Sequence, residues 1–189
     1  MLTPERQLVA FGPGDGLPPV SVRAAVRLRS GSLEFRLVVA GVGYLVPGEA
    51  ACGPERRDGL WRQTCAELFV GVVGRCGYLE WNLSPSGHWN LYRFEGYRAD
   101  GRPETAISDG SPRVDRSEQE LIIIAALPLA PLGLADLPLE VGVSAVMESA
   151  TGDLSHWAWH HPAARPDFHD RRGFVLRLDS PADAGKDRP

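Results

Sequence analysis

A period of two, cut every few residues by glycine or proline, constrains this chain more than any other feature. Residues 20–39 show the period and residues 60–97 the punctuation, with 64–73 apolar on both faces. The stretch LWRQTCAELFVGVVGRCGYLEWNLSPSGHWNLYRFEGY breaks into three strand-like runs, 64–73, 78–83 and 89–97, with Gly and Pro turns between them. It holds three of the five tryptophans (Trp61, Trp81, Trp89) and three of the four tyrosines (Tyr78, Tyr92, Tyr97). The chain has 21 Gly and 16 Pro in 189 residues, above the roughly 12% of an average protein. So many turns require many short strands.

The period itself runs upstream. Val20, Val22, Ala24, Val26 and Leu28 take one face of 20–29, and Ser21, Arg23, Arg27 and Arg29 take the other. That is a half-buried antiparallel strand. Beyond a Ser-Gly-Ser link, Leu33, Phe35, Leu37 and Val39 alternate with Glu34 and Arg36, which predicts a hairpin. Residues 7–11 read as a short edge strand. Residues 40–59 and 101–119 lack a period and read as long loops. Residues 120–127, ELIIIAAL, are apolar on both faces and fit a strand covered on both sides. The three prolines of 128–138 exclude a regular helix and leave room for one turn near 132–135. Further strands are expected at 139–147, 156–159 and 174–178. The sum is nine or ten strands with no helical period beyond two turns. The fold class is all-β, an antiparallel β-sandwich of two packed sheets of jelly-roll or Ig-like type, with a closed barrel as the alternative. One domain over 1–178 and a disordered tail over 179–189 are expected.

Net charge is −4, and Lys186 is the single lysine. Nothing favours nucleic acid or an anionic membrane as a partner. The N-terminal residues lack an apolar signal-peptide core. No apolar segment reaches the roughly 20 residues that span a bilayer. A cytoplasmic protein is the expectation. Cys52, Cys65 and Cys76 are odd in number and lack zinc-finger spacing; Cys65 reads as a buried thiol. No sequence feature fixes an oligomeric state.

Three segments carry a resemblance: LWRQTCAELFV, YLEWNLSPSGHWNLYRFEGYR and SHWAWHHPAARPDFHDRRGFVLRL. Together they resemble a bacterial DOMON-like domain, a group related to the family 9 carbohydrate-binding modules, over roughly residues 64–178. The resemblance implies a sandwich holding an aromatic-lined cleft that binds a sugar or haem. The shared pattern is an apolar strand with a Glu, here Glu67, followed by a YxEWNLSPxG strand, here residues 78–87. Most characterised relatives lie outside the cytoplasm, and this chain departs from them in having no export signal.

The residue chemistry can be read independently. Sugar rings have apolar C–H faces and polar edges, so a sugar site combines aromatic faces with amides, carboxylates or Arg. Trp61, Trp81, Trp89, Trp157, Trp159 and Tyr92 supply rings; Glu67, Asn82, Asn90 and Arg93 supply hydrogen bonds. In Trp81-Asn82 and Trp89-Asn90 the neighbours point to opposite strand faces, so each pair offers one group or the other to a cleft. A tryptophan in a sandwich is more often core than platform. Four of five histidines fall in 156–169, and His160, Asp167 and His169 are candidates for a polar rim. His160, His161, Asp167 and His169 are also weak metal candidates, though their spacing matches no standard zinc motif. Such His–Asp pairs also pin loops. No Cys-x-x-Cys-His supports covalent haem, and no cofactor is implied. No nucleophile elbow or phosphate loop is present. Glu67 and Glu80 would act in glycoside hydrolysis only across a cleft from a second acid. The reading is a non-catalytic domain binding a small polar ligand such as a saccharide. A metal- or haem-dependent protein built on the 156–169 histidines, and an interaction domain without a small ligand, are the alternatives.

Overall fold

The computed structural model describes residues 4–12, 19–44 and 53–179. The expected tail lies outside them apart from Asp179, as do Cys52 and the middle of the 40–59 loop. The thirteen strands are β1 (Arg6–Gln7), β2 (Val9–Ala10), β3 (Ser21–Arg29), β4 (Ser32–Ala40), β5 (Cys65–Val72), β6 (Tyr78–Leu83), β7 (Trp89–Phe94), β8 (Arg102–Pro103), β9 (Arg113–Arg116), β10 (Glu120–Pro128), β11 (Leu139–Glu148), β12 (Leu154–Ala158) and β13 (Leu176–Leu178). They form two antiparallel sheets. The five-stranded sheet has the order β1-β3-β4-β10-β9; the eight-stranded sheet runs β2-β12-β11-β5-β6-β7-β8, with β13 beside β11. This is the sandwich that the alternation predicts.

The β3–β4 hairpin turns on Ser30 and Gly31, at φ 48° and 76°. Two positive-φ residues make the tight turn whose twist matches the strands. The inward faces of the two sheets then meet. Val22, Ala24, Val26, Leu33, Phe35, Leu37, Leu121 and Ile123 pack against Leu68, Val70, Leu79, Trp81, Leu91, Val141 and Val143 in one core. Residues 7–11 are more than an edge strand. Gln7 pairs with β3 in one sheet and Val9 with β12 in the other, and Leu8 between them is 1% exposed. The chain changes sheets at a buried leucine.

Two other expectations are modified. The 101–119 loop contains β9, an edge strand whose Arg113, Asp115 and Arg116 are exposed. Polar edges resist strand addition but erase the hydrophobic signal. Strand β10 is not covered on both sides, since Ile122 and Ile124 remain half-buried on its outer face. Residues 128–138 form turns and no regular helix, as their prolines predict, and Leu129, Leu132 and Leu134 close the end of the core.

The outer faces differ. On the five-stranded sheet the outer face carries ion pairs, Arg27 with Glu34 and Arg36 with Glu5. On the eight-stranded sheet, every residue of β5 and β6 is buried, on both faces. Loops therefore cover this second outer face, and the cavity lies beneath them.

Candidate functional site

Strand register sets the floor. Glu67 lies opposite Asn82 on one side and Ser144 on the other; Phe69 lies opposite Glu80 and Gly142, and Glu80 opposite Tyr92. Because side chains alternate, all of these share the outer face. Trp81, one residue from Glu80, must then face the core. The result is a band of polar groups across the middle of a sheet whose other face is mainly apolar.

Two loops and a short turn roof this band. The 3-10 turn Leu60–Arg62 brings Trp61 over Tyr92, with ring centroids 5.8 Å apart. The turn after β7 carries Arg98 and Asp100 at φ 52° and 51°, a conformation that costs a non-glycine residue on the order of 1 kcal/mol. Arg98 is held there by its own N–H, which donates to the Tyr78 hydroxyl (3.1 Å), and by its guanidinium on Asp167 (3.0 Å). The third cover is the segment leading to Phe174. Arg171 donates to the carbonyls of Gly77 and Val72, at 3.0 and 3.2 Å, and pairs with Glu140. Its guanidinium and the Phe174 ring lie where side chains on Gly71 and Gly142 would stand, since a Cβ there would meet them at 2.4 and 2.8 Å.

The cavity, partly open to solvent, has a volume of about 500 Å³. Its walls are Trp61, Phe69, Tyr92, Phe94, Val146, Pro166 and Phe168, and its polar groups are Glu67, Glu80, Arg98, His156 and His169. Volume and composition suit one or two sugar rings.

Burial, then the neighbouring Glu80 carboxyl, pushes the Glu67 acid up to about 8; the Ser144 hydroxyl, donating at 2.9 Å, and the Arg98 charge pull the other way. Burial also raises Glu80, against the Asn82 amide at 2.7 Å and Arg98. Like charges on adjacent strands cannot both ionise cheaply, so the pair retains a proton at neutral pH. Burial and then Arg98 lower His169 to about 4. Its Nε2, 3.6 Å from Glu80, is therefore a neutral neighbour and not an ion-pair partner. His169 Nδ1 meets the Tyr78 hydroxyl at 2.7 Å. Burial lowers His156, with His161 adding to the effect. Burial raises the Tyr92 phenol, as does Asp58, which accepts its hydrogen bond at 2.6 Å.

Of the residues singled out in the sequence, Trp61, Glu67, Tyr92 and His169 line this cavity. Trp81, Trp89, Trp157 and Trp159 do not; they belong to the core between the sheets. Trp81 Nε1 donates to the Gly110 carbonyl at 3.1 Å, Trp157 Nε1 to Ser155 at 2.9 Å, and Trp89 and Trp159 lie under the guanidinium groups of Arg56 and Arg6. For Trp81, Trp89 and Trp157 the physical reason is parity: their strand positions point inward, where large apolar area is most favourably buried, and Trp159 follows just beyond β12. Asn82 supports Glu80 from below. Asn90 ties Asp58, Arg56 and Tyr92 together at 2.8–3.0 Å and braces the Trp61 turn. Arg93 pairs with Glu104 at 2.5 Å and is not in the cavity wall. Asp167 holds Arg98 and the His169 amide as a brace behind the wall. His160 is exposed, and His161 bonds the Val9 carbonyl at 2.9 Å. Among the described residues no three His, Cys, Asp or Glu side chains converge as a metal site. Glu80 and His156, weighed in the sequence for other roles, also line the cavity, and Phe69, Phe94, Arg98, Gly101, Val146, Pro166 and Phe168 complete the walls without having been singled out. Period two from Glu67 reaches Phe69, but the loop residues carry no comparable signal.

No protein-family model matches the chain, and no curated protein matches it. Solved structures do share its fold. A candidate carbohydrate-binding protein from Bacteroides uniformis superposes with a TM-score of 0.65 at 11% identity, over 89% of this chain and 83% of that one. A family 9 carbohydrate-binding module from Caldicellulosiruptor kristjanssonii in complex with cellotriose gives 0.48 at 10% identity, over 79% and 70%. A family 9 module from the same organism in complex with glucose gives 0.45 at 9%, over 76% and 69%. At such identities the first shows a common fold, and the other two add no argument.

Proposed function

We propose that this protein is a non-catalytic saccharide-binding domain whose site is the loop-covered cavity on the outer face of the eight-stranded sheet. One observation carries the reading: a cavity of about 500 Å³ whose walls are aromatic and whose floor is two buried carboxyls. Rings of Trp61, Tyr92, Phe94 and Phe168 offer apolar surface to sugar C–H faces, and Glu67, Glu80, Arg98 and His156 offer partners to hydroxyls. Glu67 and Glu80 sit diagonally on adjacent strands of one floor, so both face a ligand from the same sheet. The description of the Bacteroides protein that shares the fold agrees with this reading, as does the family 9 resemblance in the sequence.

A thermal-shift screen with mono- and oligosaccharides tests it. A saccharide at about 100 times its dissociation constant adds ~2.7 kcal/mol, a shift of several degrees for a chain of this size. Trp61→Ala abolishes that shift if the cavity is the site. Stabilisation that survives both Trp61→Ala and Glu80→Ala places the ligand elsewhere and refutes the reading.

A further inference from the structure

The two floor carboxyls have more acceptor capacity than the protein uses. Glu67 and Glu80 are 3% and 6% exposed. Ser144 occupies one oxygen of Glu67, and Asn82 one oxygen of Glu80. Among the described residues nothing donates to Glu67 Oε1, and Glu80 Oε2 has His169 Nε2 at 3.6 Å, beyond hydrogen-bond reach. Both acids line the cavity, so these two oxygens are positions that a ligand's donors can reach.

Charge narrows the ligand. No described Lys or Arg forms an ion pair with either floor acid, and the Arg98 guanidinium is already matched by Asp167. The Arg98 charge acts on both acids without touching either, and a ligand hydroxyl donates to one oxygen but adds no positive charge. An ammonium group brings both three donors and a positive charge. The rings of Tyr92, Phe94 and Trp61 favour a cation as well. Without a third converging ligand, the cation is organic and not a metal ion.

We propose that the cavity accepts an amino sugar, whose protonated amine sits on Glu67 and Glu80 while the ring lies against the aromatic wall. This rests on the saccharide reading above and names the ligand class of the same site. Binding then ionises the floor. Glu67 holds a proton near neutrality, facing Glu80 on β6, Tyr92 on β7, His156 on β12, Arg98 and His169 in the covering loops, and Cys65 on its own strand. An arriving ammonium expels that proton to the buffer.

Calorimetric titration of the full chain with glucosamine, glucose and N-acetylglucosamine, in two buffers of different ionisation enthalpy near pH 7, reads both effects. Glucosamine is expected to bind at least about tenfold more tightly than the two neutral sugars, releasing close to one proton while they release none. Its affinity falls at least about tenfold from pH 7 to pH 5, and that of glucose changes little. Glu67→Gln removes both the preference and the proton release; the wild-type pH profile stands as an independent reading if that variant folds poorly. Equal affinities, or a preference for glucose, would overturn the inference and leave the saccharide reading standing. Absence of binding by all three would overturn the inference, and the oligosaccharide screen above would then decide the saccharide reading.

Discussion

Glu67 shows how one residue sets a pH dependence. Its folded value, about 8, lies above the ordinary carboxyl value. For an acid with a raised pKa, the stabilising contribution is complete below the unfolded pKa, near 4.5, and is lost as pH rises towards 8. Gln keeps the Ser144 contact and cannot ionise. Glu67→Gln should therefore melt with the wild type near pH 5 and several degrees above it near pH 9, by differential scanning calorimetry. The tryptophans divide at the same scale. Trp81 is fully buried, and Trp81→Ala should cost about 3–5 kcal/mol in urea denaturation. Trp61 is 40% exposed, so Trp61→Ala should change stability by no more than about 0.5 kcal/mol while removing saccharide binding.

At the scale of elements, the covering segment is held by what β5 and β11 lack. Gly142 leaves room for the Phe174 ring, and a Cβ there would sit 2.8 Å from it and 3.4 Å from the Gly173 carbonyl. Gly142→Ala should destabilise by about 1–3 kcal/mol, measured in urea, and should speed amide exchange across residues 167–174. Much of this architecture was legible from sequence because it follows from parity. The alternation of 20–29 and 33–39 carries the first sheet, and β6 occupies its expected residues, 78–83. Edge strands such as β9 were not legible, because a polar solvent-facing edge looks like a loop. The site was half legible. Glu67 and Tyr92 stood out by chemistry, but facing depends on register. Glu67 opposite Asn82 puts Trp81 with Leu68 in the core, and no single strand encodes that pairing. Arg98 and Phe168 reach the cavity through loop closure between segments about seventy residues apart, which no local pattern records; the Arg98–Asp167 contact spans 69 positions.

The whole molecule balances two opposed titrations on one face. Lowered by burial to about 4, His169 contributes stability that is complete above its unfolded value of 6.5 and is lost as pH falls through 4. Glu67 loses its contribution in the other direction. The two slopes offset each other between about 4.5 and 6.5, so stability should be greatest in that window, and Glu67→Gln should move the optimum upward, as a melting series from pH 4 to 9 will show. One apolar sheet face builds the core, and the opposite face of the same strands carries buried acids under loops. The central claim is that this second face is a saccharide site. An amide NMR titration of the whole chain with glucose and glucosamine tests it most directly. Saturable shifts clustered on residues 65–71, 78–82 and 90–98 are the predicted result. No saturable shifts, or shifts confined to the five-stranded sheet, would contradict it.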